Sequence, residues 1–206
     1  MTKIAVIYYS STGNAFKIAQ SIDAGAQSAG AEVRLRKVRE LAPDEAIASN
    51  KGWAQHRVAT QHVAEAELAD LEWADGFAFG TPTRFGAMSA QLKQFLDTSG
   101  GLWMKGLLAD KAATAFVGAS YPHGGQETTL MTIYNMMYHW GAIIVPPGYT
   151  DPVVGKAGGN PYGTSYTDPR GGELPAEVLA AAHYQGVRLA RYAAVLAANR
   201  GALRGG

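Results

Sequence analysis

"KIAVIYYSSTGNAFKIA", residues 3–19, is an apolar run followed by a hydroxyl-rich turn and the start of a helical pattern. Residues 4–9 are continuously apolar, which is typical of a strand buried on both faces of a parallel sheet. From Asn14 onward the apolar positions recur at helical spacing, and Gly30 is a suitable helix stop. Residues 33–38 alternate apolar with basic side chains and predict a second strand near a sheet edge. The N-terminal region therefore reads as a βαβ unit.

Strands alternate with helices along the rest of the chain. We predict further strands at residues 76–80, 111–118 and 143–145, and a last helix that starts near Pro175. The region before the third strand, residues 39–71, predicts a loop with one or two helical pieces. The Gly- and Pro-rich residues 146–175 predict a long loop insertion. The whole pattern predicts a single α/β domain over residues 1–206, with an open, doubly wound sheet of five parallel strands and helices on both faces.

The composition excludes several classes of protein function. The 206 residues carry 18 basic and 17 acidic side chains, a net charge of +1, and 47% are hydrophobic. This balance argues against direct nucleic-acid binding, which requires a basic face. There is no cysteine, so disulfides, thiol catalysis and thiolate metal sites are excluded. No apolar run is long enough to span a membrane, and we expect a cytoplasmic protein without a metal site.

Three loops rich in small, polar or glycine residues follow the first, third and fourth strands, at residues 10–15, 81–86 and 119–126. Ligands of open parallel sheets bind at the carboxyl ends of the strands, so these loops predict one shared site. In the first loop, hydroxyls and the unpaired N–H groups of a helix start predict a cage for a phosphate monoester. A nucleoside triphosphate loop would normally add a lysine and a magnesium-binding hydroxyl. An ordinary capped turn is the alternative interpretation.

Ser-x-Thr-Gly-Asn after the first strand resembles the flavodoxin loop that holds the phosphate of flavin mononucleotide (FMN). Four further segments are similar to the NAD(P)H:quinone oxidoreductases of the tryptophan-repressor-binding-protein type: "GTPTRFGAMSAQLKQFLDTSGGLW" (80–103), "GGQET" (124–128), "HWGAIIVPPGY" (139–149) and "NPYGTS" (160–165). The resemblance covers nearly the whole chain. It implies a flavodoxin-like sheet of order 2-1-3-4-5, with FMN as cofactor and NADH or NADPH as electron donor. It also implies two-electron reduction of quinones to hydroquinones by ping-pong hydride transfer through flavin N5.

The resemblance also implies which residues meet these ligands. Expected at the phosphate are Ser10, Ser11, Thr12, Gly13, Asn14 and Ala15. Expected at the flavin ring are Pro82, Thr83, Arg84, Phe85, Ala119, Ser120, Tyr121, Pro122, His123, Gly124, Gly125, His139 and Trp140. Expected at quinone or nicotinamide are Trp103, Phe85 and Tyr149. No acid or base is expected to be indispensable, with electrostatic assistance from Arg84 and His123. Family members are typically tetramers with sites at subunit junctions.

Three positions depart from the family pattern. Thr12 stands where relatives often have tyrosine, the loop over residues 118–127 is one residue longer and bulkier, and Trp140 replaces the second histidine of His-His-Gly. Two other functions stay open, a flavodoxin-type one-electron carrier and a flavin-loaded interaction or stress-regulatory protein. The alternatives for single residues are a hydrophobic plug for Phe85 and solvated loop positions for Arg84 and His123.

Overall fold

A computed structural model describes residues 1–168 and 172–203, which form a six-stranded parallel sheet flanked by helices. The strands are β1 (Lys3–Tyr8), β2 (Glu32–Lys37), β3 (Gly76–Pro82), β4 (Ala112–Ala119), β5 (Ile143–Ile144) and β6 (Ser165–Thr167). The helices are α1 (Asn14–Ser28), α2 (Asp44–Ala48), α3 (Lys51–Ala59), α4 (Leu68–Trp73), α5 (Ala90–Asp97), α6 (Gly100–Met104), α7 (Gln126–Trp140), α8 (Pro152–Lys156), α9 (Ala176–Ala198) and α10 (Arg200–Leu203).

The strand order is β2-β1-β3-β4-β5, so the predicted doubly wound topology is confirmed. All five predicted strands are present, and a sixth short strand, β6, adds to the sheet. Strand β5 pairs only with the amino end of β4, through Ala112 and Ala113. Strand β6 pairs with the carboxyl end of β4, from Val117 to Ala119. The short β5 leaves the second half of β4 unpaired, and β6 satisfies those backbone groups.

Helices cover both faces of the sheet, as predicted. Alternate side chains of β1, such as Ile4 and Val6, pack with Ile18 and Ile22 of α1 and with Leu189 of α9. The opposite side chains of the same strands pack with α5 and α7, where Leu92, Leu96, Ile133 and Met137 are fully buried or nearly so. Burial on both faces explains why these strands read as continuous apolar runs.

Helices α1 and α9 approach each other closely on one face of the sheet. A Cβ atom on Gly25 would lie 2.0 Å from the carbonyl oxygen of His183, and one on Gly186 would lie 2.1 Å from that of Ile22. Only glycine fits at these two crossing points. Their contact holds the C-terminal helix against α1, whose start lies at the candidate site.

Residues 39–71 contain three short helices, so the predicted loop with one or two helical pieces understated their order. Asp70 of α4 accepts hydrogen bonds from Arg34 and Arg36 of the edge strand β2, each at 3.1 Å. Helix α3 begins after Asn50, whose side chain accepts from the backbone N–H of Trp53. Trp53 Nε1 of α3 donates to Glu40 Oε2 at 3.1 Å, which holds α3 beside the carboxyl end of β2.

The predicted long loop at residues 146–175 contains helix α8 and strand β6, and its residues 169–171 lie outside the described residues. A buried glutamine holds the segment to the sheet. Gln185 of α9 accepts from the backbone N–H of Thr164 at 2.8 Å and donates to Thr114 and Ala115 of β4. Because these bonds join distant parts of the chain, local composition could not reveal them. Among the described residues, no helix combines the length and apolar character needed to cross a membrane.

Candidate functional site

A cavity of about 570 Å³ lies at the carboxyl edge of the sheet. The parallel register places Tyr8 beside Gly80 and Pro82 beside Gly118, so the loops after β1, β3 and β4 begin at the same edge. Ten of its lining residues were predicted from the sequence: Ser10, Ser11, Thr12, Asn14, Ala15, Pro82, Thr83, Arg84, Ala119 and Ser120. The size lies within the range of small-molecule sites, roughly 300–1,000 Å³.

The loop after β1 presents a helix start without a side-chain cap. Gly13 has φ of 106°, in the left-handed region that favours glycine, and its N–H donates to Ser10 Oγ at 3.0 Å. No side chain caps α1 among the residues described, and Asn14 and Ala15 of its first turn line the cavity. The amides of that first turn and the positive end of the helix dipole therefore lie at the cavity wall. This is the arrangement that binds a phosphate.

The loop after β3 is a tight turn that places Phe85 at its tip. Arg84 and Ala87 exchange backbone hydrogen bonds at 2.8 and 3.1 Å, while Phe85 has φ of 54° and Gly86 φ of 78°. A bulky residue rarely adopts a positive φ, because its side chain crowds the backbone. The Phe85 ring is fully exposed, so the hydrophobic-plug interpretation is wrong. The turn holds an aromatic ring out from the rim of the cavity at a conformational cost of roughly 1–3 kcal/mol.

The loop after β4 contributes its first residues to the cavity and projects its tip into solvent. Thr83 joins it to the β3 loop, since its N–H donates to Gly118 O at 2.7 Å and its hydroxyl to Gly124 O at 3.2 Å. In contrast, Tyr121, Pro122 and His123 are exposed and do not line the cavity of the single chain. Gly124 and Gly125 lead into α7 and also lie outside the lining.

The charges lining the cavity favour an anion. Lys17 and Arg84 are both exposed and line it, whereas Asp168 supplies the carboxylate among the described lining residues. Asp168 Oδ2 accepts from Asn14 Nδ2 at 2.8 Å. Burial and the nearby Asp168 both raise the pKa of Tyr166, so this phenol stays protonated at neutral pH. Tyr166 is therefore a hydrogen-bond donor in the cavity wall.

Comparison with known proteins fits this geometry. The model of the NADPH-dependent FMN reductase family matches residues 2–151. The chain belongs to this family. A relative from Deinococcus radiodurans, "NAD(P)H dehydrogenase (quinone)", is 50% identical over 165 residues, covering 80% of this chain and 82% of the relative. A protein of the same name from Methylocella silvestris is 43% identical over 202 residues, covering 95% and 99% of the two chains.

Solved structures show the same fold for this FMN reductase family member. A WrbA-like flavodoxin from Agrobacterium tumefaciens has a TM-score of 0.66 at 22% identity, covering 95% of this chain and 99% of its own. An NADH:FMN oxidoreductase, EMOB, has a TM-score of 0.59 at 16% identity, covering 95% and 90%. The resemblance to the tryptophan-repressor-binding-protein type, inferred from the sequence motifs, is confirmed.

Several residues expected at the flavin or the substrate lie far from the cavity of their own chain. Trp140 ends α7, whose fifteen residues span about 21 Å from the cavity edge to the opposite edge of the sheet. Its ring is buried and packs edge-on against Phe77 and Phe79, each with centroids 6.0 Å away. Trp103 Nε1 donates to the backbone oxygen of His139 at 2.8 Å, so these two residues share that opposite edge. Within one chain, Trp140 is a core residue.

Tyr149 also lies outside the cavity lining and is exposed after β5. Conversely, the structure adds lining residues that sequence reasoning missed or left outside the site: Lys17, Asn50, Gly52, Gly118, Tyr166, Asp168 and Gly172. Asparagine is a common helix N-cap residue, so Asn50 could have been predicted to start a helix. Nothing in the sequence indicated that this helix, α3, lies at the cavity. Asp168 reaches the site only because β6 pairs with β4, a contact with no local sequence pattern.

Proposed function

We propose that this chain is an FMN-dependent NAD(P)H:quinone oxidoreductase that reduces quinones by two electrons. The observation that carries the proposal is the uncapped start of α1, with Gly13 at positive φ, in a cavity at the carboxyl edge of the sheet. The donor set fits a phosphate dianion, and the cavity continues from the phosphate loop to the β3 and β4 loops. Family membership and the names of the relatives support FMN and NAD(P)H.

The chain's own residues would hold and orient the cofactor. The first-turn amides of α1 and the hydroxyls of Ser10, Ser11 and Thr12 would bind the phosphate. The backbone of residues 82–85 and 118–120 would lie along the rest of the molecule, at the rim that Arg84 and Phe85 occupy. When bound, FMN supplies hydride acceptance from the nicotinamide and electron transfer to the quinone. The exposed guanidinium of Arg84 would stabilise negative charge at that rim.

Subunit association would complete the site. Trp103, Met104 and Phe85 expose apolar side chains that a neighbouring subunit could cover. Two of them, Trp103 and Phe85, were expected at the substrate. Since Trp103 and His139 lie at the edge of the sheet remote from their own cavity, a neighbouring subunit would be needed to bring them to a flavin. We therefore propose a homotetramer with sites at subunit junctions, which light scattering would test. We also propose that residues 1–206 act as one functional unit in the cytoplasm, without direct nucleic-acid binding.

The phosphate loop offers the direct test. Thr12 is exposed in the loop, so Thr12→Glu adds a carboxylate there without disturbing the core. Repulsion of the FMN phosphate should weaken FMN binding by about a hundredfold or more. Flavin fluorescence titration and NAD(P)H-dependent benzoquinone reduction would measure the change.

Gln20→Glu is the matched control, because Gln20 is an exposed residue of α1 that does not line the cavity. It should bind FMN as the wild type does. Full flavin retention and activity in Thr12→Glu would overturn the proposed site. Tight FMN binding by the wild type, with no quinone reduction by either nicotinamide, would favour the one-electron carrier instead.

A further inference from the structure

We call the cavity proposed to hold FMN the flavin cavity. A second cavity, of about 320 Å³, lies beside it, between α3 and the carboxyl ends of β1 and β2. The two cavities share Ser10 in their walls. The rings of Tyr9, Trp53 and His56 line the second cavity, which we call the α3 cavity. Its aromatic walls and its position next to the flavin site suit a planar base attached to the same ligand that reaches the flavin.

The acceptors in the α3 cavity are largely used within the chain. Glu40 Oε2 accepts from Tyr9 Oη and Trp53 Nε1, and Glu40 Oε1 from Gln91 Nε2 and the backbone N–H groups of Leu41 and Ala42. Five donors saturate a carboxylate, which offers about four lone-pair sites. Asp44 is paired with Arg57 at 2.6 Å, while Glu65 stands exposed at the rim.

Two cations in the wall of the α3 cavity can take a further acceptor. Tyr8 lines the cavity through its ring, but the Tyr8 hydroxyl oxygen is itself buried and has no hydrogen-bond partner among the described residues. Lys37 lies beside Tyr8 in the strand register, and its ammonium donates to a neutral acceptor, Thr60 O, at 2.7 Å. Arg39 is exposed in the wall and forms no ion pair within the described part of the chain. These donors call for an anion.

The hydrogen-bonding groups that remain available in the α3 cavity distinguish NADPH from NADH as its ligand. In dinucleotide sites, a carboxylate at the end of the second strand accepts from the ribose 2′-hydroxyl of NADH, while a nearby arginine accommodates the 2′-phosphate of NADPH. Here the segment after β2 offers both Arg39 and Glu40, but Glu40 is already saturated. The cations Arg39 and Lys37 are suited to a phosphate.

We propose that the α3 cavity binds the adenosine 2′-phosphate end of NADPH, with the nicotinamide reaching the adjacent flavin cavity. The inference rests on the proposed function. Arg84 lies between the two cavities. It lines the flavin cavity and is close enough to Tyr9, in the wall of the α3 cavity, to act on that phenol electrostatically. The pyrophosphate would pass this guanidinium.

Calorimetric titration of the FMN-loaded protein with 2′,5′-ADP, a fragment of NADPH, tests the subsite without turnover. Loaded protein is used because the phosphate loop is then filled. Wild type should bind 2′,5′-ADP at least tenfold more tightly than 5′-AMP, which lacks the 2′-phosphate. Lys37→Met and Arg39→Met should each weaken 2′,5′-ADP binding by about tenfold, since each removes a donor to a charged group. Arg39→Met breaks no ion pair of the described chain.

The control is Lys93→Met, which removes the same charge from α5, where Lys93 is exposed and paired with Asp97. Lys93→Met should bind 2′,5′-ADP as the wild type does. In benzoquinone assays, Lys37→Met should lower the NADPH-to-NADH ratio of kcat/KM by about tenfold. Equal binding of 5′-AMP and 2′,5′-ADP, displacement of 2′,5′-ADP by inorganic phosphate at equal concentration, or unchanged ratios in both variants would overturn the subsite. If neither nicotinamide reduces the bound flavin, the proposed function itself fails, whatever the titration shows.

Discussion

The amino and carboxyl edges of the sheet differ in whether their polar groups are hydrogen-bonded within the chain. At the amino edge, Lys111 Nζ donates to the carbonyls of Leu71 and Glu72, and Trp103 donates to His139. At the carboxyl edge, the first-turn amides of α1 face the cavity without a side-chain cap in the described chain. Unpaired donors are costly unless a ligand or water meets them, so the carboxyl edge is built for binding.

Substitution of Trp140 at the amino edge should have the largest effect, and that effect should be on stability. Its buried ring packs on Phe77 and Phe79 at the amino edge, so Trp140→Ala should destabilise the fold by about 3–5 kcal/mol. Denaturant unfolding of the flavin-free protein would measure the loss. Trp140→Phe, which keeps an aromatic ring, should cost less. A variant that unfolds like the wild type but no longer retains FMN would show that Trp140 acts at a flavin, as the sequence predicted, and not in the core.

Glu40 tests the carboxyl edge through pH. Burial raises the pKa of this carboxyl, but hydrogen bonds from the Ala42 backbone, Gln91, Tyr9 and the Leu41 backbone outweigh it and lower the pKa below its ordinary value of 4.5. Ionised Glu40 therefore stabilises the fold above that pH, and the contribution disappears as the pH falls through the folded pKa.

Glu40→Gln should accordingly lower the free energy of unfolding by about 1 kcal/mol at neutral pH, with the partly exposed position limiting the effect. The difference from the wild type should shrink in acid. Urea unfolding over a pH series would measure both, with Glu45→Gln, an exposed position of α2, as the control. A difference that stays constant at every pH would contradict the assigned role of the charge.

Asp168 should give the smallest effect. Its carboxylate lines the flavin cavity near the phosphate loop, so it opposes a phosphate dianion. Asp168→Asn should tighten FMN binding by about threefold to tenfold, and the gain should shrink at high salt. Fluorescence titration would measure it, with Asp97→Asn on α5 as the control. Weaker FMN binding by Asp168→Asn would indicate that this residue instead accepts a hydrogen bond from the ligand.

The sequence predicted the site best where local pattern and chemistry coincide. Ser10 to Ala15 combine a buried strand, a hydroxyl-rich turn and a helix start within a dozen residues, and the structure places that turn at the cavity. Prediction was weaker for Tyr121 to Gly125, because a loop's sequence does not specify which way its tip points. For Trp140 the flavin contact stays a prediction: α7 carries that residue to the opposite edge of the sheet, so a flavin of its own chain lies out of reach.

By itself, the sequence determined the alternation of strands and helices, the helices on both faces and the loop that would receive a phosphate, because hydrophobic period and turn chemistry are local properties. The strand order was predicted through the family resemblance. Only the tertiary structure decided how residues distant in sequence meet. The pairing of β6 with β4 brought Asp168 and Tyr166 to the flavin cavity, and the placement of α3 closed a second cavity around Tyr8 and Lys37. These contacts depend on long-range packing and buried hydrogen bonds such as those of Gln185, which leave no periodic trace in the chain.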